Sequence, residues 1–367
     1  MELPPLSLYI HYPWCVKKCP YCDFNSHEQK NENDIIYIKA VLNNLDEQLY
    51  SVQNREIQTI FIGGGTPSLC TPKAMEILFS ELRKKLNFAK DIEITLEANP
   101  GASEIEKLKF FKDIGVNRLS IGVQSFNDKH LVNLGRIHSS EQAIKIIQKA
   151  KLAGFDNINI DLMFGLENQS IDECLNDIKQ AIDLEPQHIS FYQLTIEPNT
   201  LLAKFPPKLS DENSWDMQQK GHQLLDKAGY KQYEVSAFAK RVAKHNLNYW
   251  QFGDYLGIGA GAHGKITIDN KIIRTTQSKL PKDFIKNNQN KITTVENIAF
   301  EFMLNILRLK QGFDVELFEK RTGLRITEID KQLNKAITLK LLERQKNKIQ
   351  PTTKGFDFLN DIQTLFL

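Results

Sequence analysis

The 367 residues contain no stretch of about 18 consecutive apolar side chains, so nothing in the sequence reads as a bilayer-spanning helix. The leading MELPPLSLYIHYPWC has no basic segment and carries two prolines where an apolar helix would be needed. No secretory signal is therefore expected, and the expected compartment is the cytoplasm. An excess of one charge is missing too. Lys and Arg number 47 against 45 Asp and Glu, a net +2. A nucleic-acid partner usually requires an evident basic surplus, so none is expected. Internal repeats and low-complexity tracts are absent, and 41% hydrophobic with 25% charged residues is ordinary for a globular protein rather than a disordered one. Cysteine is scarce and odd in number, five in all, with three inside eight positions. A disulfide framework would spread an even set over a small domain, whereas a metal site clusters them.

What is present is an alternation of short apolar runs with amphipathic helical patterns over the first two thirds, the signature of repeated βα units. Strands are expected at Leu6–Ile10, Thr59–Ile62, Ile92–Glu97, Arg118–Ile121, Asn157–Met163 and His188–Leu194, with helices near 34–52, 72–86, 103–113, 139–153 and 170–184. Six strands with five crossovers fit an open, partial (β/α)6 barrel better than a closed eight-stranded one. The break Phe205-Pro206-Pro207 divides this barrel, residues 1–205, from a connecting segment, 206–295. From 296 to 367, short helices, a small strand pair and a last apolar helix suggest a winged-helix-like domain. The expected fold class is thus α/β, a partial barrel with a mixed α/β extension. Lacking basic excess, the terminal domain is assigned a packing or partner role.

Polar and glycine positions end several strands: Gly63-Gly64-Gly65-Thr66-Pro67, Glu97, Gln124 and Asp161. Ligand groups gather at the carboxyl ends of strands in parallel α/β folds, so together these predict a rim. Directly after the first strand, Cys15, Cys19 and Cys22 form a C-x3-C-x2-C array. Thiolates are the usual protein ligands of iron–sulfur clusters. Three of them leave the fourth iron of a 4Fe-4S cluster open to a chelating molecule, which the amine and carboxylate of S-adenosylmethionine (SAM) would supply. A zinc site is the alternative, with His11 or His27 as a fourth ligand, although zinc favours C-x2-C pairs. Cys70 and Cys174 lie outside the array, and Cys174, on an amphipathic helix, reads as core.

In order along the chain, YIHYPWCVKKCPYCDFNSH, GGGTPS, LEANP, LSIGVQSFN, LGRIH and NIDLMFGL resemble the radical-SAM family that contains the oxygen-independent coproporphyrinogen dehydrogenases and related heme chaperones. The resemblance implies a radical-SAM partial barrel and SAM contacts at Tyr9, Gly64, Gly65, Thr66, Glu97, Gln124, Arg136 and Asp161. Glycines permit close backbone approach to a ligand. The polar side chains can bond ribose or amine groups, and Arg136 can pair with a carboxylate. Tyr21, between two cysteines, either shields the cluster, borders the adenine or packs the loop.

Two departures separate this chain from the dehydrogenases, as that branch is known. Phe24 stands where they carry a fourth cysteine, and fourteen residues precede Cys15 in place of their longer extension. Both point away from decarboxylation. His245-Asn246-Leu247-Asn248-Tyr249-Trp250 matches the HNxxYW motif that marks the heme-chaperone branch. Histidine is the commonest proximal heme ligand, and Tyr and Trp offer flat apolar surface, so His245 is the candidate heme ligand. Gly259-Ala-Gly261-Ala-His263-Gly264 spells G-x-G-x-x-G, but an extended segment follows instead of a helix, which excludes a dinucleotide fingerprint. It reads as a tight loop near the barrel mouth, with His263 a weaker heme candidate. The implied cofactors are a 4Fe-4S cluster, SAM and heme. The implied partners are heme and a heme-acceptor protein, soluble or membrane-associated. An oxidoreductase that uses a 5′-deoxyadenosyl radical on a porphyrinogen is the alternative, and a structural or regulatory iron–sulfur protein the third.

Overall fold

The computed structural model describes residues 1–29, 33–101 and 105–367. Short runs with apolar residues at alternate positions form six strands, β1 (Leu6–Tyr12), β2 (Ile57–Gly64), β3 (Phe88–Ala98), β4 (Arg118–Gln124), β5 (Ile158–Phe164) and β6 (His188–Gln193). They pair in parallel in that order. The crossovers carry α1 (Asp34–Asp46), α2 (Pro72–Lys85), α3 (Ile105–Asp113), α4 (Ser140–Leu152) and α5 (Ile171–Asp183). Positions 103 and 104 of the expected third helix lie outside the described residues. Capping boxes start α4 at Ser139 with Gln142 and α5 at Ser170 with Glu173. Along α4, Ala143, Ile146, Ile147 and Ala150 are buried at helical spacing against the sheet. The helix expected over 34–52 ends at Asp46. Leu49–Val52 is a 3-10 turn, and left-handed Gln53 and Asn54 swing the chain into β2.

The sheet does not stop at residue 205, as the division into barrel and connecting segment expected. After α6 (Asp211–Lys227) come β7 (Lys231–Glu234), β8 (Ala237–Ala239), a short helix α7 (Lys244–Trp250), β9 (Asp254–Ile258), β10 (His263–Ile268), β11 (Lys271–Thr276) and β12 (Lys291–Thr294). All these strands join the same sheet, in the order β12-β11-β10-β9-β1-β2-β3-β4-β5-β6-β8-β7. β9 runs parallel to β1 on its free side, and the antiparallel strands continue both edges. These strands are only three to six residues long, too short to show a periodicity.

Outward residues such as Ile60 and Ile62 pack with the helices in the main apolar core. The inward residues are largely polar, among them Ser7, Thr59, Glu93, Thr95, Arg118, Ser120 and Asn159, all buried. The carboxyl-terminal part comprises helices Ile298–Ile306, Val315–Thr322 and Asp330–Thr338, a hairpin of Leu342–Gln345 and Lys348–Pro351 extended by Phe313–Asp314, and helices Thr353–Asp357 and Leu359–Thr364. It has a second core around Phe302, Phe313, Phe318, Leu333, Ile349 and Ile362. No helix among the described residues is long and apolar enough to cross a membrane.

Helix α7, which holds the HNxxYW motif, sits at the amino-terminal end of the barrel strands and ties them to the second core. Its backbone N–H groups at Lys244 and His245 donate to Glu93 Oε2 (3.2 Å) and Oε1 (3.1 Å), so an inward carboxylate of β3 caps the helix. Asn248 Nδ2 donates to Ser7 Oγ (2.8 Å) and to the Asp254 carbonyl (2.9 Å). Leu247 and Trp250 face the other way, into the carboxyl-terminal core, where the Arg308 guanidinium lies 4.4 Å from the Trp250 ring centre.

Candidate functional site

At the carboxyl ends of the strands, β1 runs into the cysteine loop. Its first residues, Trp14–Cys15, pair with His27–Glu28, which closes the loop on itself. The loop is tied down by hydrogen bonds from the Gly65 N–H to the Tyr12 carbonyl (2.7 Å) and from the Thr66 N–H to the Trp14 carbonyl (2.8 Å). These contacts explain the glycine run. A Cβ at Gly65 would lie 2.6 Å from the Trp14 carbonyl oxygen, and one at Gly64, whose φ is 111°, would strike the His11 ring. The glycines therefore admit the cysteine loop itself, a role that ligand approach alone did not suggest.

Cys15, Cys19 and Cys22 are half-buried and line one cavity of about 440 Å³ in the barrel mouth. Each of the three sulfurs has a hydrogen-bond partner, Cys22 Sγ lying 3.5 Å from Ser26 Oγ. Thr66 Oγ1 donates to Cys15 Sγ (3.4 Å), and Arg136 Nη1 to Cys19 Sγ (3.6 Å). Burial raises the Cys15 thiol above its ordinary pKa, and the Thr66 hydroxyl partly offsets this. Three thiols on one loop, two of them met by donors that favour thiolate, suit a cluster held through three irons.

Asn99, directly after β3, was missed in the sequence and organises the rim. Its Nδ2 donates to Thr66 Oγ1 (2.8 Å), while its Oδ1 accepts from Arg136 Nη2 (2.8 Å). Arg136 Nη2 also donates to the Gly122 carbonyl (2.6 Å), and Nη1 reaches Tyr21 Oη (3.4 Å). The signal for Asn99 was its place, a polar residue at a strand's carboxyl end. Thr66, Asn99, Arg136 and Cys19 also line an adjoining recess of about 130 Å³.

Gly64, Gly65, Glu97, Gln124, Arg136, Asp161 and Tyr21 all line the larger cavity, so most of the expected SAM contacts face one space. Gln124 has a left-handed backbone, φ 72°, beyond an irregularity in the β4–β5 register. Such a conformation in a non-glycine residue stores strain, and here it turns the side chain to accept from Tyr192 Oη at 2.8 Å. Glu97 Oε2 accepts from the Gly64 N–H at 3.0 Å. Burial first, and the Asp161 charge second, push its pKa up to about 7. Asp161 is raised by burial as well, although Asn159 Nδ2 (2.7 Å) and Ser120 Oγ (3.4 Å) donate to it.

Three expected ligand contacts are placed differently. Tyr9 does not line the cavity. Its hydroxyl bonds His11 Nδ1 (2.9 Å), whose Nε2 donates to the Asn25 carbonyl (2.9 Å), so Tyr9 braces the tail of the cysteine loop. His245 is only 1% exposed, on the barrel floor below Phe61 and beside Tyr249, with Nδ1 bonded to Thr59 Oγ1 at 2.7 Å. Its Nε2 is buried without a partner, and burial lowers its pKa to about 3. The ring is a neutral floor residue, closed to an iron in the cavity, and the motif's Asn246 is the side chain that faces that space. His263 is exposed outside the cavity, at the start of β10 after the loop whose Gly261 packs against Asn25.

Comparison with known proteins follows this geometry. The Radical SAM superfamily matches residues 9–181, and the HemN C-terminal domain matches residues 293–358. The chain is 48% identical to the heme chaperone HemW of Haemophilus influenzae, covering 100% of this chain and 99% of that one. To the heme chaperone HemW of Bacillus subtilis it is 32% identical, over 98% and 99%. Among solved structures, coproporphyrinogen III oxidase (HemN) from Escherichia coli, a radical SAM enzyme, superposes with a TM-score of 0.84 at 24% identity, over 99% of this chain and 90% of that one.

Proposed function

The chain belongs to the HemW-like family of radical SAM proteins, and from that premise we propose that it is a cytoplasmic heme chaperone. It holds a 4Fe-4S cluster on Cys15, Cys19 and Cys22, binds SAM beside it, and carries heme to an acceptor protein. The observation that carries this reading is the 48% identity to a named heme chaperone over the whole chain. The likeness to the oxidase extends to the fold alone.

When bound, such a cluster supplies a site-differentiated iron and an electron to SAM. The chain's own residues do the rest. Thr66 and Arg136 hold two sulfurs in hydrogen bonds, and Arg136, fixed by Asn99 and the Gly122 carbonyl, would pair its positive charge with the carboxylate of a bound SAM. Glu97, Gln124 and Asp161 offer acceptors for the hydroxyl and amine groups of the same ligand. At the mouth, the exposed side chains of Val16, Phe24 and Ile137 give a flat macrocycle apolar surface to cover. Phe24, at the position of the dehydrogenases' fourth cysteine, lines the cavity without a metal-binding atom.

The test is a heme titration of the anaerobically reconstituted chain, followed by absorbance, alongside an assay with coproporphyrinogen. About one heme per chain and no porphyrinogen conversion are expected. Steady decarboxylation without heme binding would establish the oxidoreductase alternative instead.

A further inference from the structure

The residues placed around SAM occupy the upper part of the cavity, and Arg118 is not among them. Arg118 opens β4 at the opposite, amino-terminal end of the barrel, is 2% exposed, and lines the same cavity from below. Its Nε has no hydrogen-bond partner, and Nη1 makes only a long contact to Thr95 Oγ1 at 3.5 Å. A buried guanidinium normally pairs with a carboxylate or hydrogen-bonds fully, because removing it from water is otherwise costly. Here the acids nearby are engaged elsewhere. Both oxygens of Glu93 cap α7, Asp161 is held by Asn159 and Ser120, and Glu97 by the Gly64 N–H. Glu97 and Asp161 feel Arg118 only through space.

We propose that the barrel floor is a second ligand subsite, which takes the carboxylate of a small organic acid on Arg118. The planar fork of a guanidinium matches a carboxylate with two parallel hydrogen bonds. Ser120, Asn159, Ser190 and Asn246 surround the same space with hydroxyl and amide groups. Asn159 is itself fixed, with its Oδ1 against His188 Nδ1 at 2.6 Å and its Nδ2 donating to Ser120 Oγ at 2.8 Å. His188 is anchored in turn on Tyr233 Oη at 2.8 Å, so the wall is rigid. A single negative charge suits the floor better than a phosphate dianion, which would meet Glu97 and Asp161 with twice the repulsion. A carboxylate seated here points the rest of its molecule up the barrel toward the cysteines. The subsite stands independently of heme binding, since its anchor is at the far end from the mouth.

Propionate is the probe, titrated into cluster-loaded protein and followed by saturation-transfer NMR, with neutral propionamide and inorganic phosphate as comparisons. Saturable propionate binding is expected, with propionamide at least about tenfold weaker, and with SAM binding alongside rather than in competition. Arg118→Gln should abolish the propionate signal. Because that change also disturbs a buried site, Asn246→Asp is the second variant: nearly isosteric, it sets a negative charge against the subsite and should weaken propionate at least about tenfold. Equal binding of propionamide, tighter binding of phosphate, displacement of propionate by SAM, or unchanged affinity in Asn246→Asp would each overturn the assignment.

Discussion

At Gly65 one methyl group decides whether the cysteine loop can sit on β2. A Cβ there meets the Trp14 carbonyl, one residue before Cys15, and neither is the end of a flexible side chain. Gly65→Ala should therefore lower iron content after anaerobic reconstitution as well as SAM binding, with a stability loss of about 1–3 kcal/mol in urea. Cys15→Ser, Cys19→Ser and Cys22→Ser should abolish the roughly four irons per chain that three thiolates and one open iron require. Cys70→Ser and Cys174→Ser should keep them, since both thiols are buried in the apolar core. Stoichiometric zinc without iron in anaerobically isolated protein would contradict this. Glu97 gives a pH prediction. Its folded pKa, raised from 4.5 to about 7, means that the folded state holds the proton longer than the unfolded chain. Stability is thus lost as pH rises from about 4.5 through 7, by an amount on the order of 3 kcal/mol. Glu97→Gln should flatten that slope in urea titrations of the cluster-free chain; an unaltered slope would remove Glu97 as its source.

Among the elements, α7 changes most between sequence and structure. HNxxYW reads the same whether its histidine meets a ligand or fills a floor, because no periodicity reveals which end of a barrel a seven-residue helix occupies. The tertiary contacts decide it: Thr59 receives His245, Ser7 receives Asn248, and Trp250 belongs to the second core. His245→Ala should then cost about 2–4 kcal/mol through the cavity that it leaves, while the heme absorption spectrum keeps its shape. A shifted spectrum with unchanged stability would return the ligand role to His245. The parallel strands were legible because apolar runs and strand-end polar residues announce them, and so were the cysteines, whose spacing has no packing reason. Asn99 and Tyr192 were not, since their importance lies in the partners Arg136, Thr66 and Gln124, which sequence spacing does not bring together. β9 was missed for the same reason: DYLGI becomes a strand because β1 offers it an open edge.

Considered whole, the barrel and the apolar core of the carboxyl-terminal part are tied together by one small helix. Leu247 and Trp250 pack in the carboxyl-terminal core, while the same helix is capped by Glu93 inside the barrel. Phe252, fully buried beside Phe302, continues that joint. Removing residues 296–367 should uncover these side chains and leave a barrel without a firm base, seen as aggregation or loss of a cooperative melt. The full chain should unfold in a single calorimetric transition; two separate transitions would show that the joint carries little energy.

The seal that α7 makes across the barrel has a kinetic corollary. A passage closed at its base behaves as a stack: whatever settles deepest must enter first and can leave only after everything above it has gone. An acid on Arg118 would be sheltered from exchange by SAM overhead, and its release rate would track SAM departure rather than its own affinity. Occupancy of the lower part would then record the order in which solutes arrived, a history that equilibrium titrations do not register and rapid-mixing experiments with reversed order of addition do.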